Sequence, residues 1–378
     1  MKINVTLPLL KDAGDLRGKR VFLAIDLNLA IQNGKVVDAY RLERSQKTIE
    51  YLRQSGARTL LVSHRTEETA SLVPVFEYLK TTYDVVFAAS ITEARKAMET
   101  SRVGSFVLLE NIRKVGGDRE KNNDFAFACE LSSLADIFIN EAFSISHRSH
   151  ASIIGVPAVL PHYAGFLLEE EVEELSKAFD SARPSLVILG GAKFETKMPL
   201  VKRFLQTADN VVVCGALAND IYRFRGYETG ISLLSKNAPD LNEIVVSPKL
   251  YVPVDVVTRG GEVVSKSADV VLPNEKIVDA GPDSLEDIRE LIEKAAFILW
   301  NGPLGEYEDG FIEGTEEVAQ AIAESDAESI VGGGDSLAMI DRLGLKERFS
   351  FVSTGGGAML EFLANGTLPG IEALKKYQ

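Results

Sequence analysis

Two sets of residues in this chain are suited to handling phosphate: arginines and histidines in the first half, and glycine runs with lysines in the second. All four histidines lie between positions 64 and 162, and His64, His147 and His150 stand at or just past the ends of apolar runs. The same run ends carry Asp26 and Asn28 after Arg20–Ile25, Arg113 after Phe106–Leu109, and Arg148 after Asp136–Ile139, while Arg41 follows the turn Asn33-Gly34. In open parallel sheets, ligands bind beyond the carboxyl ends of the strands. Cations gathered there suit a small, multiply charged anion. Arginine suits it well, because its planar fork grips carboxylate or phosphate through two hydrogen bonds. A surface ion pair accounts for any one of these arginines, but not for the whole set at independent strand ends. His147 and His150 fit a ligand contact or a packing role equally well, and His162 reads as structural. With no Cys, Asp or Glu at ligand spacing, the histidines are not expected to hold a metal.

In the second half, Gly190-Gly-Ala-Lys193 is followed by Lys197, one helical turn on. Asn301-Gly-Pro-Leu-Gly305 follows Trp300, and Gly332-Gly-Gly-Asp-Ser336 follows an apolar run. Thr354-Gly-Gly-Gly357 opens onto a helical pattern, Ala358–Ala364. Bare N–H groups at a helix start bind phosphate because they are unpaired donors in a favourable dipole field. Asp335, beside such a turn, can hold a magnesium ion that bridges phosphates. One glycine run is explained by a tight helix entry; three, with a lysine pair at i, i+4, are not. The chain has no G-x-x-x-x-G-K-[ST] loop, no strand followed by G-x-G-x-x-G with an acidic residue at the right distance, and no G-x-S-x-G elbow. P-loop, dinucleotide-dependent and hydrolase readings are therefore poor fits.

The elements that must position these residues are short apolar runs alternating with helical patterns. In the first half they are Arg20–Ile25, Thr59–Val62, Asp84–Phe87, Phe106–Leu109 and Asp136–Ile139; in the second, Leu186–Leu189, Asn210–Val213, Ala268–Leu272, Ala296–Trp300 and Phe351–Ser353. Continuous apolar strands between helices predict parallel sheets covered on both faces. Two such series predict two α/β domains, which also suits the length of 378 residues. Between them, Leu168, Val172, Leu175 and Phe179 fall at helical spacing, so 164–180 is expected to be a helix. It either links the domains or lies on the surface of one. The polar, Gly-rich segment Val257–Ser267 reads as a hairpin or loop.

The net charge of −14 argues against nucleic acid as a partner, since phosphate backbones need a basic face. It also means that anionic substrates must be drawn by local charge. The apolar runs are far shorter than the roughly 20 residues of a bilayer span, and Met1–Leu10 lacks the pattern of a secretion signal. Cys129 and Cys214 read as buried thiols in a reducing compartment, which points to the cytoplasm.

Taken in order, Asp26-Leu-Asn28, Leu109-Glu-Asn-Ile-Arg113, Asn140-Glu-Ala-Phe143, His147-Arg-Ser-His-Ala151, Gly190-Gly-Ala-Lys193, Pro253-Val-Asp255, Trp300-Asn-Gly-Pro303, Gly332-Gly-Gly-Asp-Ser336 and Ser353-Thr-Gly-Gly-Gly357 resemble phosphoglycerate kinase along nearly the whole chain. The resemblance implies an α/β fold of two Rossmann-like domains joined by a linking helix. It implies a 3-phosphoglycerate domain over 1–163, a linker at 164–180 and a nucleotide domain over 181–359, with residues from about 360 to 378 returning to the first domain. It implies reversible, magnesium-dependent phosphoryl transfer between ATP and the carboxylate of 3-phosphoglycerate, as in glycolysis and gluconeogenesis, by a monomer that closes about a hinge. Asp26, Asn28, Arg41, His64, Arg65, Arg113 and Arg148 match positions that hold 3-phosphoglycerate. Lys193 and Lys197 match lysines on the nucleotide phosphates. Gly215, Asn301, Gly333, Gly334 and Ser336 match the nucleotide site, Glu308 the ribose contact and Asp335 the magnesium contact. Arg41, Lys197, Gly333 and Gly356 match the groups around the transferred phosphoryl.

The chain departs from the family pattern at several points. Ala24 stands where the family usually has arginine, and the loop after His64 is shortened, with Arg65 in place of the family's loop arginine. Ala216 replaces a glycine of the nucleobase wall, and Ile277 another. Two alternatives remain open here: a relative that binds ligand or protein without useful turnover, and a kinase for another small carboxylate.

Overall fold

The computed structural model describes residues 6–192, 194–236 and 240–375. Lys193 and the first five residues, on which part of the leader reading rests, lie outside the described residues. The chain divides into two compact units. Among the described residues, one takes 6–173 and 365–375; the other is Glu174–Ala364.

The first unit contains β1 (Arg20–Ala24), β2 (Ala30–Gln32), β3 (Lys35–Asp38), β4 (Arg58–Val62), β5 (Val85–Ala88), β6 (Phe106–Leu109), β7 (Ile137–Asn140) and β8 (His162–Ala164). Six of them form one sheet in the order β5-β6-β4-β1-β7-β8, with every pairing parallel. Strands β6 and β7 are buried at every residue. Helices cover both faces of such a sheet, and for that reason the sequence shows unbroken apolar runs instead of alternation. β2 and β3 form a separate antiparallel hairpin that leads into the short helix Tyr40–Arg44. The final helix, Pro369–Lys375, belongs to this unit, where Gly370 N donates to Ser146 O at 2.8 Å.

The second unit contains β9 (Ser185–Leu189), β10 (Asn210–Val213), β11 (Leu250–Tyr251), β12 (Asp255–Arg259), β13 (Val263–Ser267), β14 (Lys276–Ala280), β15 (Phe297–Asn301), β16 (Glu328–Gly332) and β17 (Phe351–Val352). Its main sheet, β11-β10-β9-β15-β16-β17, is parallel throughout. A three-stranded antiparallel sheet, β13-β12-β14, stands apart. Here the structure corrects one expectation: 268–272 is not a strand but a 3-10 turn, Ala268–Val270, and extended chain with Val270 and Leu272 exposed. Val257–Ser267 falls within the β12–β13 hairpin.

The helix Phe166–Ser176 and the 3-10 turn Lys177–Phe179 fill the expected helical segment, and the division between units falls inside the helix. Leu168, Val172 and Leu175 are buried along one stripe. The helix start is held by Glu141, whose fully buried carboxyl accepts from Leu167 N at 3.2 Å and whose pKa burial pushes well above the usual range. No described helix is long and apolar enough to cross a membrane. Cys214 is buried as expected, but Cys129 is only partly so, because its helix Phe125–Ser132 turns that position toward the rim.

Candidate active site

In the first unit, β6, β4, β1 and β7 are neighbours, so residues from distant stretches of sequence meet just beyond their carboxyl ends. Asp26, only 6% exposed, leaves β1 and is the centre of a dense network. Its Oδ2 accepts from Arg41 Nη1 at 2.7 Å and from the Ser144 hydroxyl at 2.5 Å, and its Oδ1 accepts from Asn28 N at 2.9 Å. Burial pushes the Asp26 pKa up, but Arg41, His64, Ser144 and Asn28 N together hold it below the ordinary value, so the group is an anion at neutral pH. Beside it, His64 is driven down to about 4, by burial and then by Arg113 and Arg41, against the pull of Asp26. It is a neutral imidazole at pH 7.

The shortened loop after β4 is fixed by Asn111, a fully buried side chain that the motif reading left without a role. Its Oδ1 accepts from Arg65 N at 3.1 Å and Arg113 N at 3.2 Å, while its Nδ2 reaches the carbonyls of Glu67, Glu68 and Ala70 at 2.9–3.2 Å. Asn28 and Thr66 clasp each other: Asn28 Nδ2 donates to Thr66 Oγ1 at 2.7 Å, and Thr66 N donates to Asn28 Oδ1 at 3.2 Å. Arg65 donates to Leu29 O at 2.5 Å, which turns it back toward the Asp26 loop.

Burial and then Arg148 lower the Arg113 pKa, a sign of like charges drawn close. His147 and His150 are each driven down to about 4, first by burial, then by these same arginines. Behind His150, at 3.7 Å from its Nδ1, lies Glu120, whose burial raises its pKa to about 7. Three buried polar atoms here, His64 Nδ1, Arg65 Nε and Arg113 Nε, have no partner among the described residues, while His147 is in hydrogen-bond contact with the Ser144 backbone. Buried polar atoms are nearly always paired, so a cluster of orphans beside crowded arginines marks a place for an anion. His162 stands elsewhere, buried on β8 with its ring against Leu160 O.

In the second unit, the glycine runs meet backbone to backbone at the carboxyl ends of β9, β10, β15 and β16. Gly190 N donates to Asn301 O at 3.0 Å, Gly191 N to Pro303 O at 2.8 Å, and Gly302 N to the Ser336 hydroxyl at 3.0 Å. Asn301, buried, bridges with its Nδ2 to Gly332 O at 2.9 Å. Glycine is required at two of these points. Gly302 has φ +95°, and a β-carbon there would strike Lys197 Nζ and Gly190. Gly215, at φ +62°, has Gly191 N and Pro303 O where a side chain would go.

Lys197, 5% exposed, points its ammonium into this junction, donating to Gly190 O at 2.5 Å and Asn301 O at 3.2 Å. Gly333, at φ +104°, opens the helix Gly334–Arg342, with Asp335 exposed in its first turn. Gly355 and Gly356 precede the helix Gly357–Asn365 in the same way. Glu308 lies exposed on the turn Tyr307–Asp309. The chain after that turn is tied down by Asp279, which accepts from Gly314 N at 3.0 Å and is raised to about 7, chiefly by burial.

No group of three or more His, Cys, Asp or Glu among the described residues can hold a metal alone. A single exposed carboxylate, Asp335, suits an ion that takes its other ligands from phosphates and water.

The sequence profile described as phosphoglycerate kinase matches residues 10–366. Phosphoglycerate kinase of Thermus thermophilus is 39% identical over 96% of this chain and 98% of its own length. That of Pelotomaculum thermopropionicum is 37% identical over 95% and 97%. Among solved structures, phosphoglycerate kinase from Coxiella burnetii superposes with a TM-score of 0.84 at 34% identity, covering 98% of this chain and 99% of that one. The enzyme from Pyrococcus horikoshii gives 0.82 at 31%, covering 98% of each. Two parallel-sheet units, one with crowded cations at its strand ends and the other with glycine loops, thus accompany a likeness over essentially the full chain: it belongs to the phosphoglycerate kinase family.

Proposed function

We propose that this chain transfers a phosphoryl group reversibly between ATP and the carboxylate of 3-phosphoglycerate, as a monomeric cytoplasmic enzyme of glycolysis and gluconeogenesis. The observation that carries the substrate assignment is the cluster of orphaned buried nitrogens on His64, Arg65 and Arg113. A small trianion would satisfy them and relieve the repulsion between Arg113 and Arg148. In this reading Asp26 and Asn28 orient the substrate, while Arg65, Arg113 and Arg148 hold its phosphate. The nucleotide phosphates take Lys193, Lys197 and the N–H groups of Gly333, Gly334 and Gly356, with Ser336 alongside. Gly215 and Asn301 border the nucleotide and Glu308 takes its ribose.

The attacking group, a carboxylate with a pKa of roughly 3.5, is already ionised at neutral pH, so no general base is needed. That agrees with a site whose histidines are neutral and whose ionised carboxylate, Asp26, is held by Arg41 and Ser144. Catalysis becomes alignment and charge neutralisation. Arg41 turns from Asp26 toward the phosphoryl oxygens, and Lys197 exchanges backbone carbonyls for phosphate. Magnesium, when bound, would offset phosphate charge, and Asp335 would hold it. Because the two halves of the chemistry lie on different units, the helix Phe166–Ser176 serves as the hinge that brings them together and excludes water.

The test is ATP-dependent turnover of 3-phosphoglycerate with magnesium, coupled to NADH oxidation. We expect turnover on the order of 1–1,000 per second, the usual range for enzymes. No turnover at millimolar ATP, GTP or other nucleotides would overturn the proposal, and turnover only with other small carboxylates would reassign the acceptor.

A second expectation concerns the base. Ala216, which opens the helix Ala216–Phe224, and Ile277 on β14 replace bare backbone with side chains. Ala216→Gly with Ile277→Gly is expected to lower the Michaelis constant for ATP several-fold, or to shift base preference, with kcat little changed. Identical constants and preference in the wild type and the double variant would remove these residues from nucleotide selection.

A further inference from the structure

The surroundings of Asp26 carry one step further, resting on the reading above that Asp26 orients the acceptor. Ser144 belongs to no motif of the sequence and lies 118 positions from Asp26, on the 3-10 turn Phe143–Ile145 beyond β7. It reaches Asp26 because β1 and β7 are paired, with Ala24 opposite Asn140. Its hydroxyl donates to Oδ2 at 2.5 Å, the same oxygen that Arg41 holds at 2.7 Å. The groups facing this carboxylate are Arg41 from the helix Tyr40–Arg44, His64 from beyond β4, Ser144 from beyond β7, and Asn28 N from its own loop.

In the proposed transfer, Arg41 serves two anions: Asp26 before the reaction and the phosphoryl oxygens during it. Guanidinium charge turned toward phosphate is withdrawn from Asp26, and a buried carboxylate with too few donors is costly. We propose that Ser144 is a positioning residue for phosphoryl transfer, its hydroxyl holding Asp26 Oδ2 while Arg41 turns to the phosphoryl group. The benefit is felt as Arg41 moves, so it belongs to the rate and not to ground-state binding.

The experiment is steady-state kinetics of wild type, S144A and S144T with both substrates, with thermal melts to verify folding. S144A is expected to lose roughly tenfold in kcat, the scale of a hydrogen bond to a charged group. The Michaelis constants for ATP and 3-phosphoglycerate should each move less than about threefold, since only the turned state of Arg41 is affected. S144T keeps the hydroxyl and should recover most of the rate. An S144A enzyme with wild-type kcat overturns the proposal. So does an S144T enzyme as slow as S144A, or an S144A loss that falls on the Michaelis constant for 3-phosphoglycerate alone. A wild type without turnover on 3-phosphoglycerate overturns the underlying reading as well; a working wild type matched by S144A overturns this inference alone.

Discussion

Arg41→Ala is expected to lower kcat for 3-phosphoglycerate and ATP by roughly 10³-fold or more, the scale of an arginine that stabilises a transferring phosphoryl group. That corresponds to about 4 kcal/mol of transition-state stabilisation. The side chain is only partly exposed and holds Asp26 Oδ2 at 2.7 Å, so it is tethered at the anion site without being consumed there. Arg41→Lys keeps the charge but loses the fork, and should recover only part of the rate. The substitution also acts on Asp26. Burial raises that carboxyl's pKa and Arg41 is foremost among the groups that lower it, so removing Arg41 raises it. A carboxyl depressed in the folded state contributes stability above its unfolded pKa of roughly 3.9, and that contribution fades as pH falls through the folded value. Arg41→Ala should therefore melt lower than wild type at pH 7 by a few degrees at most, with the difference shrinking only below about pH 4, as pH falls toward the depressed folded value. A variant that keeps more than a tenth of the wild-type kcat would remove Arg41 from the transition state.

Much of the fold was legible because its main strands are buried on both faces. The runs at Phe106–Leu109 and Leu186–Leu189 read as strands because every residue in them is apolar, and every one is buried. The same criterion failed where burial is one-sided or absent. β13, Val263–Ser267, is largely exposed and polar, so it read only as a hairpin or loop. Apolar 268–272 drew the strand assignment that belongs to Lys276–Ala280, whose lysine and aspartate disguised it. At the site, residue types could be read at strand ends because the topology itself gathers those ends. The contacts that orient them could not. Asn111 meets carbonyls up to 44 positions away, Thr66 clasps Asn28 across 38, and Ser144 reaches Asp26 across 118. A buried asparagine in a motif of charged and apolar residues was the one available signal, since an amide is buried only where its hydrogen bonds are met.

The local concentration of charge also answers the net charge of −14. Burial and then Arg148 lower the Arg113 pKa, and burial keeps three histidines neutral, so the site holds cationic capacity that an anion can call out. Screening at physiological salt confines such fields to roughly 8 Å, so acidic residues elsewhere on the surface offer little opposition.

Lys197→Met is expected to cost roughly 10²–10³ in kcat while leaving the fold intact, the penalty typical of losing one preorganised donor to developing charge. Methionine has a similar length and fits a 5%-exposed position without leaving a large cavity. The ammonium it replaces is buried against two backbone carbonyls, Gly190 O and Asn301 O, at the junction of the glycine loops. Those oxygens lose a charged donor, but the interior no longer carries the desolvation of an ammonium, and the two effects oppose each other. The melting temperature should thus move by only a few degrees in either direction. The charge of Lys197 is also felt by Cys214: burial pushes that thiol up to about 12, and Lys197 pulls it down. Loss of turnover with a nearly unchanged melt would place the whole effect of Lys197 on charge. Turnover within tenfold of wild type would instead mean that backbone N–H groups neutralise the phosphoryl oxygens without it.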